Sequence, residues 1–316
     1  MSDKKIIAVV GATGAQGGGV IRGLLADTSG QFAARAITRN VSSPKAQALA
    51  AQGVEVVSGD LDDVGTLARA LEGAHGAYFV TNFWEHFSPI KETTQGGNAA
   101  RAAKAAGVKH AIWSTFEDTR TFIPLSDTRM PTLHERYKVP HFDAKAEADA
   151  VFTELGVPTT FLLTSFYWDN LIHFGMGPKA GPDGRYAFTL PMGDKKLPGI
   201  AAEDVGRCAF GVFQAGDTYL GQKVGVAGEH LTGTQMAQRM SERLGVAVDY
   251  NGVPADVYRS FGFPGADDLG NMFQFKADFE TEFCAMRDLA RCRSLYPGLM
   301  TFDAWLAKYG SQIALS

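Results

Sequence analysis

Cysteine is scarce in this chain. Cys208, Cys284 and Cys292 are the whole complement in 316 residues, an odd number, widely spaced, with no CxxC pair and no histidine at ligand spacing. That excludes a disulfide framework and a zinc site; no metal is expected, and reduced, mostly buried thiols of a cytoplasmic protein are. Cys284 and Cys292 lie eight apart in a helical-looking stretch, and no other feature supports a redox role for them. An excess of positive charge is also missing. Thirty Lys and Arg against 34 Asp and Glu leave a net charge of −4, with a pI near 6.0. Without a basic footprint, nucleic acid is not an expected partner. No apolar run reaches the roughly 18 residues of a membrane span, so no membrane partner is expected. The N-terminal MSDKK leads directly into the first apolar run, leaving no room for a signal or transit peptide.

What is present can build a core. Apolar residues make up 45% and charged residues 20%, and 316 residues accommodate one large α/β domain or up to two smaller ones. The most informative stretch is Ile6–Gly17, IIAVVGATGAQG. Ile6–Val10 suit a buried strand, and Val20–Leu25 continue as a helix. Between them Gly11, Gly14 and Gly17 supply a tight turn, close backbone approach and an uncluttered helix start. A helix beginning there aims its free N–H groups and positive dipole end at a pyrophosphate. Gly11, Ala12, Thr13, Gly14, Ala15, Gln16 and Gly17 are therefore the candidate phosphate cradle.

Strand and helix signals alternate through the first half, which predicts a Rossmann-type, doubly wound parallel sheet. The strands are expected at 6–10, 34–38, 54–58, 76–80, 110–114 and 159–164. Helices are expected at 16–26, 44–52, 64–71, 91–106 and 142–155. Gly53, Gly107 and Gly156 each precede a Val and read as helix-ending glycines. After Thr164 the rhythm changes, with a hairpin expected over Asp183–Leu190, a helix at 203–214, a strand at 223–227 and mostly helical segments beyond. The expected domains are 1–165, with 200–230 returning to the sheet, and a smaller C-terminal domain, 166–199 and 231–316, forming a cleft.

The second strand ends in Thr38-Arg39-Asn40, with no acid where an NAD-binding protein places one for its ribose. Arg39 offers a planar, permanently charged fork that suits the 2′-phosphate of NADP. Arg35 shares its face but lies deeper. After the third strand, Asp60 is placed to meet the adenine amino group; Asp62 or Asp63 is a good N-cap for the next helix, and Asp62 is expected there. Thr81, Asn82, Phe83 and Trp84 follow the fourth strand, where polar groups can hold the nicotinamide ribose and the aromatics either shield it or plug the core.

A short-chain reductase places Ser after the fifth strand and Tyr-x-x-x-Lys on the next helix, the Lys lowering the Tyr pKa. Ser114 stands at that strand end. The helix reads His141-Phe142-Asp143-Ala144-Lys145, keeping the Lys and replacing the Tyr. His141 follows Pro140 at the helix start, where a solvated histidine is expected, and Lys145 is better placed for a cofactor ribose. The one Tyr-x-x-x-Lys, Tyr219 to Lys223, lies in a turn-like stretch and is set aside.

The segments GATGAQGG, ITRN, GDLDD, TNFWE, HFDAKAE, YWDNL and GFPGADDLGNMFQF, running from residue 11 to residue 275, resemble the NmrA-like family, atypical short-chain dehydrogenase/reductases, and most of all its NADPH-sensor members. The resemblance implies NADP contacts from Gly11–Gln16, Arg39, Asp63, Thr81–Phe83, Lys145, and Tyr167, Trp168, Asp169 and Asn170. One position departs: the sensor-type Lys before the Gln-Gly pair is Thr94 here, with Lys91 one turn earlier. The stretch 119–140 is longer than the pattern and borders the substrate side. The expected function is NADP(H) binding with redox sensing and little or no dehydrogenase activity, through a protein partner or a homodimer. The alternative is an NADPH-dependent reductase, of quinone or isoflavone-reductase kind, with Lys145 acting without the Tyr.

Overall fold

Continuous apolar runs, rather than alternating ones, mark strands covered on both faces, and the computed structural model, which describes residues 4–181 and 184–315, places them in the middle of a sheet. Strands β1 (Lys5–Val10), β2 (Phe32–Thr38), β3 (Glu55–Ser58), β4 (Gly76–Phe79), β5 (His110–Thr115) and β6 (Thr159–Leu163) pair in parallel in the order β6-β5-β4-β1-β2-β3. A short strand, Lys223–Gly225, adds a seventh beside β6. Every residue of β4, β5 and β6 is buried, whereas β3 at the far edge is half-exposed. The fold is a Rossmann-type doubly wound sheet.

The crossovers are helices α1 (Ala15–Ala26), α2 (Pro44–Ala50), α3 (Val64–Leu71), α4 (Pro89–Ala105) and α5 (Pro140–Glu154). Local chemistry sets their starts. Ser43 and Ser88 accept from Ala46 N and Lys91 N with Pro in the first turn, so α4 begins two residues before the expected Lys91. Gly53, Gly107 and Gly156 all take positive φ (85°, 66° and 61°) just past their helices.

The chain divides into two compact units. The first holds residues 1–118, 141–164 and 203–224; the second holds 119–140, 165–202 and 225–316. Residues 119–140, expected inside the nucleotide-binding domain, group with the second unit because Asn271 Nδ2 donates to Pro131 O and Lys138 O, at 3.0 and 2.6 Å. The second unit combines helices with two three-stranded sheets, more strand than its sequence suggested. The expected hairpin pairs Lys179–Ala180 with Tyr186–Leu190; Pro182 and Asp183 lie outside the described residues, as do the first three residues of MSDKK.

In the first unit α1 crosses the helix Ala202–Gln214 at its glycines. A Cβ on Gly19 would overlap the Glu203 carbonyl, and one on Gly206 the Gln16 carbonyl. Gly206→Ala is expected to destabilise the protein by about 1–3 kcal/mol through overpacking, read as a lowered thermal midpoint. An unchanged midpoint would contradict this close crossing.

Candidate dinucleotide site

The loop between β1 and α1 is built by its backbone. Gly11 adopts φ 70° and its carbonyl accepts from Gly14 N at 2.9 Å; a Cβ on Gly17 would collide with that carbonyl. Gly14 caps α1 without a side chain, and no acid occupies the first turn. The helix therefore presents main-chain donors and an unshielded positive end, which fit an anionic pyrophosphate. Gln16 instead accepts, through Oε1, from Ser114 Oγ at 2.9 Å and Tyr78 Oη at 2.5 Å. Ser114 is thus buried and its hydroxyl is directed at the glycine loop.

Arg39 follows β2 with a largely exposed side chain. Its Nη1 and Nη2 meet Glu85 Oε1 and Oε2 at 2.9 and 3.4 Å. The hydrogen bond from Arg39 holds the Glu85 carboxyl below its ordinary range. Arg35 is structural: it binds Glu55 at 2.7 Å and the carbonyls of Ala70 and Glu72. Asp60 Oδ1 accepts from Asp62 N at 3.0 Å. The cap of α3 is Asp63, whose Oδ1 accepts from Gly65 N and Thr66 N at 2.8 and 3.1 Å. Asp62 is drawn away from that role by Gln95 Nε2 at 2.9 Å and Lys91 Nζ at 3.1 Å. At the departing position, Thr94 Oγ1 donates back to Ile90 O at 2.8 Å.

The centre of the site is a buried cluster the sequence did not reveal in full. Lys145 Nζ lies 2.5 Å from Glu92 Oε1 and donates to Thr81 Oγ1 at 2.5 Å, while Thr81 Oγ1 donates to Glu92. His86 Nε2 stands 3.4 Å from Glu92 Oε2, and Lys145 Nζ sits 5.3 Å over the Trp113 ring. Glu92 is fully buried. Burial pushes its carboxyl up, but the Lys145 charge, with the nearby His86 and hydrogen bonds from Lys145 and Thr81, holds it at about 2. Glu92 and His86 were missed, although a signal existed: Glu92 shares one helical face with Gln95, Gly96, Ala99 and Ala103, all buried.

His141 is not solvated, as its place at a helix start had suggested. It is 4% exposed, with its ring 4.9 Å from Trp84 and 5.8 Å from Phe83, close to Phe116 and Phe142. Phe83 is buried and Asn82 exposed. Tyr167–Asn170 belong to the second unit. There Trp168 is buried beside Phe302 and Trp305, and Asp169 Oδ2 accepts from Ala202 N at 2.8 Å. Tyr219 and Lys223 fall in a 3-10 turn and a sheet strand, away from any Tyr-x-x-x-Lys helix. None of the three cysteines is in a disulfide. Burial and Glu280 push the Cys284 thiol up to about 11, so it is not a reactive thiolate near neutrality. Among the described residues no metal-binding cluster occurs and no helix is long and apolar enough to cross a membrane.

Two expectations follow. Glu92→Gln or Lys145→Met alone should lower unfolding free energy by about 3–5 kcal/mol, because each leaves a buried charge uncompensated, whereas Glu92→Leu with Lys145→Met should recover most of it. Additive losses in urea unfolding would contradict this. One turn beyond Lys145 on α5, Asp149 Oδ1 accepts from Trp113 Nε1 and Thr115 Oγ1 at 3.0 and 2.8 Å, while Oδ2 has no hydrogen-bond partner among the described residues and lies 3.9 Å from Lys223. Burial pushes this carboxyl from 3.8 up to about 7. The folded state then holds a proton the unfolded state has released, so this group's contribution to stability is lost as pH rises from 3.8 to about 7. Asp149→Asn should flatten that slope; an unchanged slope would contradict the assignment.

A sequence model of the NmrA-like family matches residues 3–306. The chain is 28% identical over 255 residues to the NmrA-like family domain-containing oxidoreductase malD of Malbranchea aurantiaca, covering 78% of this chain and 75% of that protein. It is 27% identical over 289 residues to the oxidoreductase FrzB of Cladobotryum sp, covering 85% and 83%. Among solved structures it is similar to NmrA, a negative transcriptional regulator in complex with NADP, with a TM-score of 0.76 and 25% identity over 96% of this chain and 94% of that one. The same regulator is also solved with NAD. The chain belongs to the NmrA-like family.

Proposed function

We propose that this protein binds NADP(H) on the glycine loop and Arg39 and acts as a redox-responsive regulator with little or no dehydrogenase activity. The main-chain donors from Ala12 to Gln16 meet the pyrophosphate, and Arg39 takes the 2′-phosphate. Asp60 and Asp63 face the adenine. Thr81, Asn82, Phe83 and Lys145 hold the nicotinamide ribose. Bound, the dinucleotide would supply a hydride.

The observation that carries the regulatory reading is the Lys145–Glu92 ion pair. A Lys145 that gave up its proton would leave Glu92 as an unpaired charge in the interior. That argues against Lys145 as a general base. Ser114 is engaged by Gln16, and His141 is enclosed by aromatic rings, so neither stands as an obvious proton donor to a substrate. NmrA, a regulator solved with NADP, supports the same reading. The oxidoreductase names of malD and FrzB favour a second one, hydride transfer to an acceptor such as a quinone that needs little acid help.

Titration with NADPH and NADH, followed by calorimetry and molecular size, tests the proposal. NADPH should bind at micromolar affinity or better. Arg39→Ala should weaken it about tenfold or more, as expected for a lost charge-assisted contact, with NADH little affected. Equal loss for both would remove the 2′-phosphate assignment, and steady turnover of quinones would favour the second reading.

A further inference from the structure

The guanidinium assigned to the 2′-phosphate already has a carboxylate in its fork. Arg39 and Glu85 meet through two N–O contacts, at 2.9 and 3.4 Å, the arrangement a phosphate would otherwise adopt. Asp60 and Asp62 add negative charge around the same guanidinium, and Asp62 is partly neutralised by Lys91. Glu85 ends a single 3-10 turn, Phe83–Glu85, held at its other side by rings: Phe83 packs on Trp84, Phe87 and His141, and Trp84 on His141. Phe87, next in line, adopts φ 52°, which a bulky non-glycine residue rarely takes, and is half-exposed. The following residue, Ser88, begins α4, and His86 reaches Glu92. One turn thus links Arg39 at the surface to the buried Lys145 cluster.

We propose that Glu85 is an internal competitor for the 2′-phosphate, so that a 2′-phosphorylated dinucleotide, and not its unphosphorylated counterpart, releases the 83–87 turn from Arg39. This rests on the NADP(H) reading above and adds its discriminating device. A 2′-phosphate must displace Glu85 to reach the fork, while a 2′-hydroxyl leaves the ion pair in place. Because both side chains are more than half exposed, the pair is weak, and the opposition is correspondingly modest. It sets a threshold for the ligand rather than a block.

The test uses the full chain with 2′,5′-ADP and 5′-ADP as probes, which differ by the one phosphate. Glu85→Gln and Glu85→Ala should each tighten 2′,5′-ADP about two- to fivefold, the range of an exposed ion pair, and leave 5′-ADP unchanged. The gain should shrink at high salt. In the natural chain 2′,5′-ADP should change the fluorescence that Trp84→Phe removes, and 5′-ADP should not. Tightening of both probes alike, or of neither, overturns the proposal while leaving NADP(H) binding intact. Failure of the natural chain and of both variants to bind either probe or NADPH overturns both readings.

Discussion

A carboxylate with no exposure can remain ionised only if a cation and hydrogen-bond donors replace its water. Glu92 has these in Lys145 and Thr81, with the His86 ring 3.4 Å away, and each comes from a different part of the first unit: Thr81 from the end of β4, His86 from the turn after it, Lys145 from α5 and Glu92 itself from α4. The cluster therefore fixes where two crossover helices meet the end of a central strand. Lys145 also lies over Trp113, whose indole N–H binds Asp149 one turn further along α5, so the polar contacts continue along that helix against β5. A lysine with this duty is a positioning element first.

The same economy shows in the residues beside it. Gln16 sits in the glycine loop but turns its amide oxygen to Ser114 and Tyr78, tying the loop to β5 and β4. The loop's shape is carried by backbone geometry at Gly11 and Gly17, leaving the start of α1 without a side-chain cap. The donors at the start of α1 are main-chain groups, while Ser114 is engaged by Gln16 and Lys145 by Glu92 and Thr81. This division underlies the proposal of a dinucleotide-binding regulator.

Much of this was legible in the residues. The apolar runs of β1, β4, β5 and β6 and the glycines after α2, α4 and α5 marked the sheet and its turns, because local backbone demands leave a local trace. Arg39 after β2 and Lys145 on α5 could be placed by spacing alone. Properties set by tertiary partners could not. His141 looked like a solvated helix-start residue, yet Phe83, Trp84, Phe116 and Phe142 enclose it. Asp62 was expected at the cap of α3, yet Gln95 and Lys91, about thirty residues away in sequence, hold it and Asp63 caps instead. Glu92 was readable only as a charged residue on a small-residue helical face, a pattern whose meaning depends on Lys145 arriving from α5. Residues 119–140 took their place through Asn271, more than 130 residues later.

The central proposal is that this chain binds NADPH while Lys145 is held by Glu92 rather than serving as a general base. Single-turnover oxidation of stoichiometrically bound NADPH, followed by absorbance with a series of carbonyl acceptors, tests it most directly. The account predicts bound NADPH whose oxidation is no faster than in acceptor alone. Acceptor-dependent oxidation that is lost in Lys145→Met but kept in a Glu92→Leu variant of matched stability would contradict it.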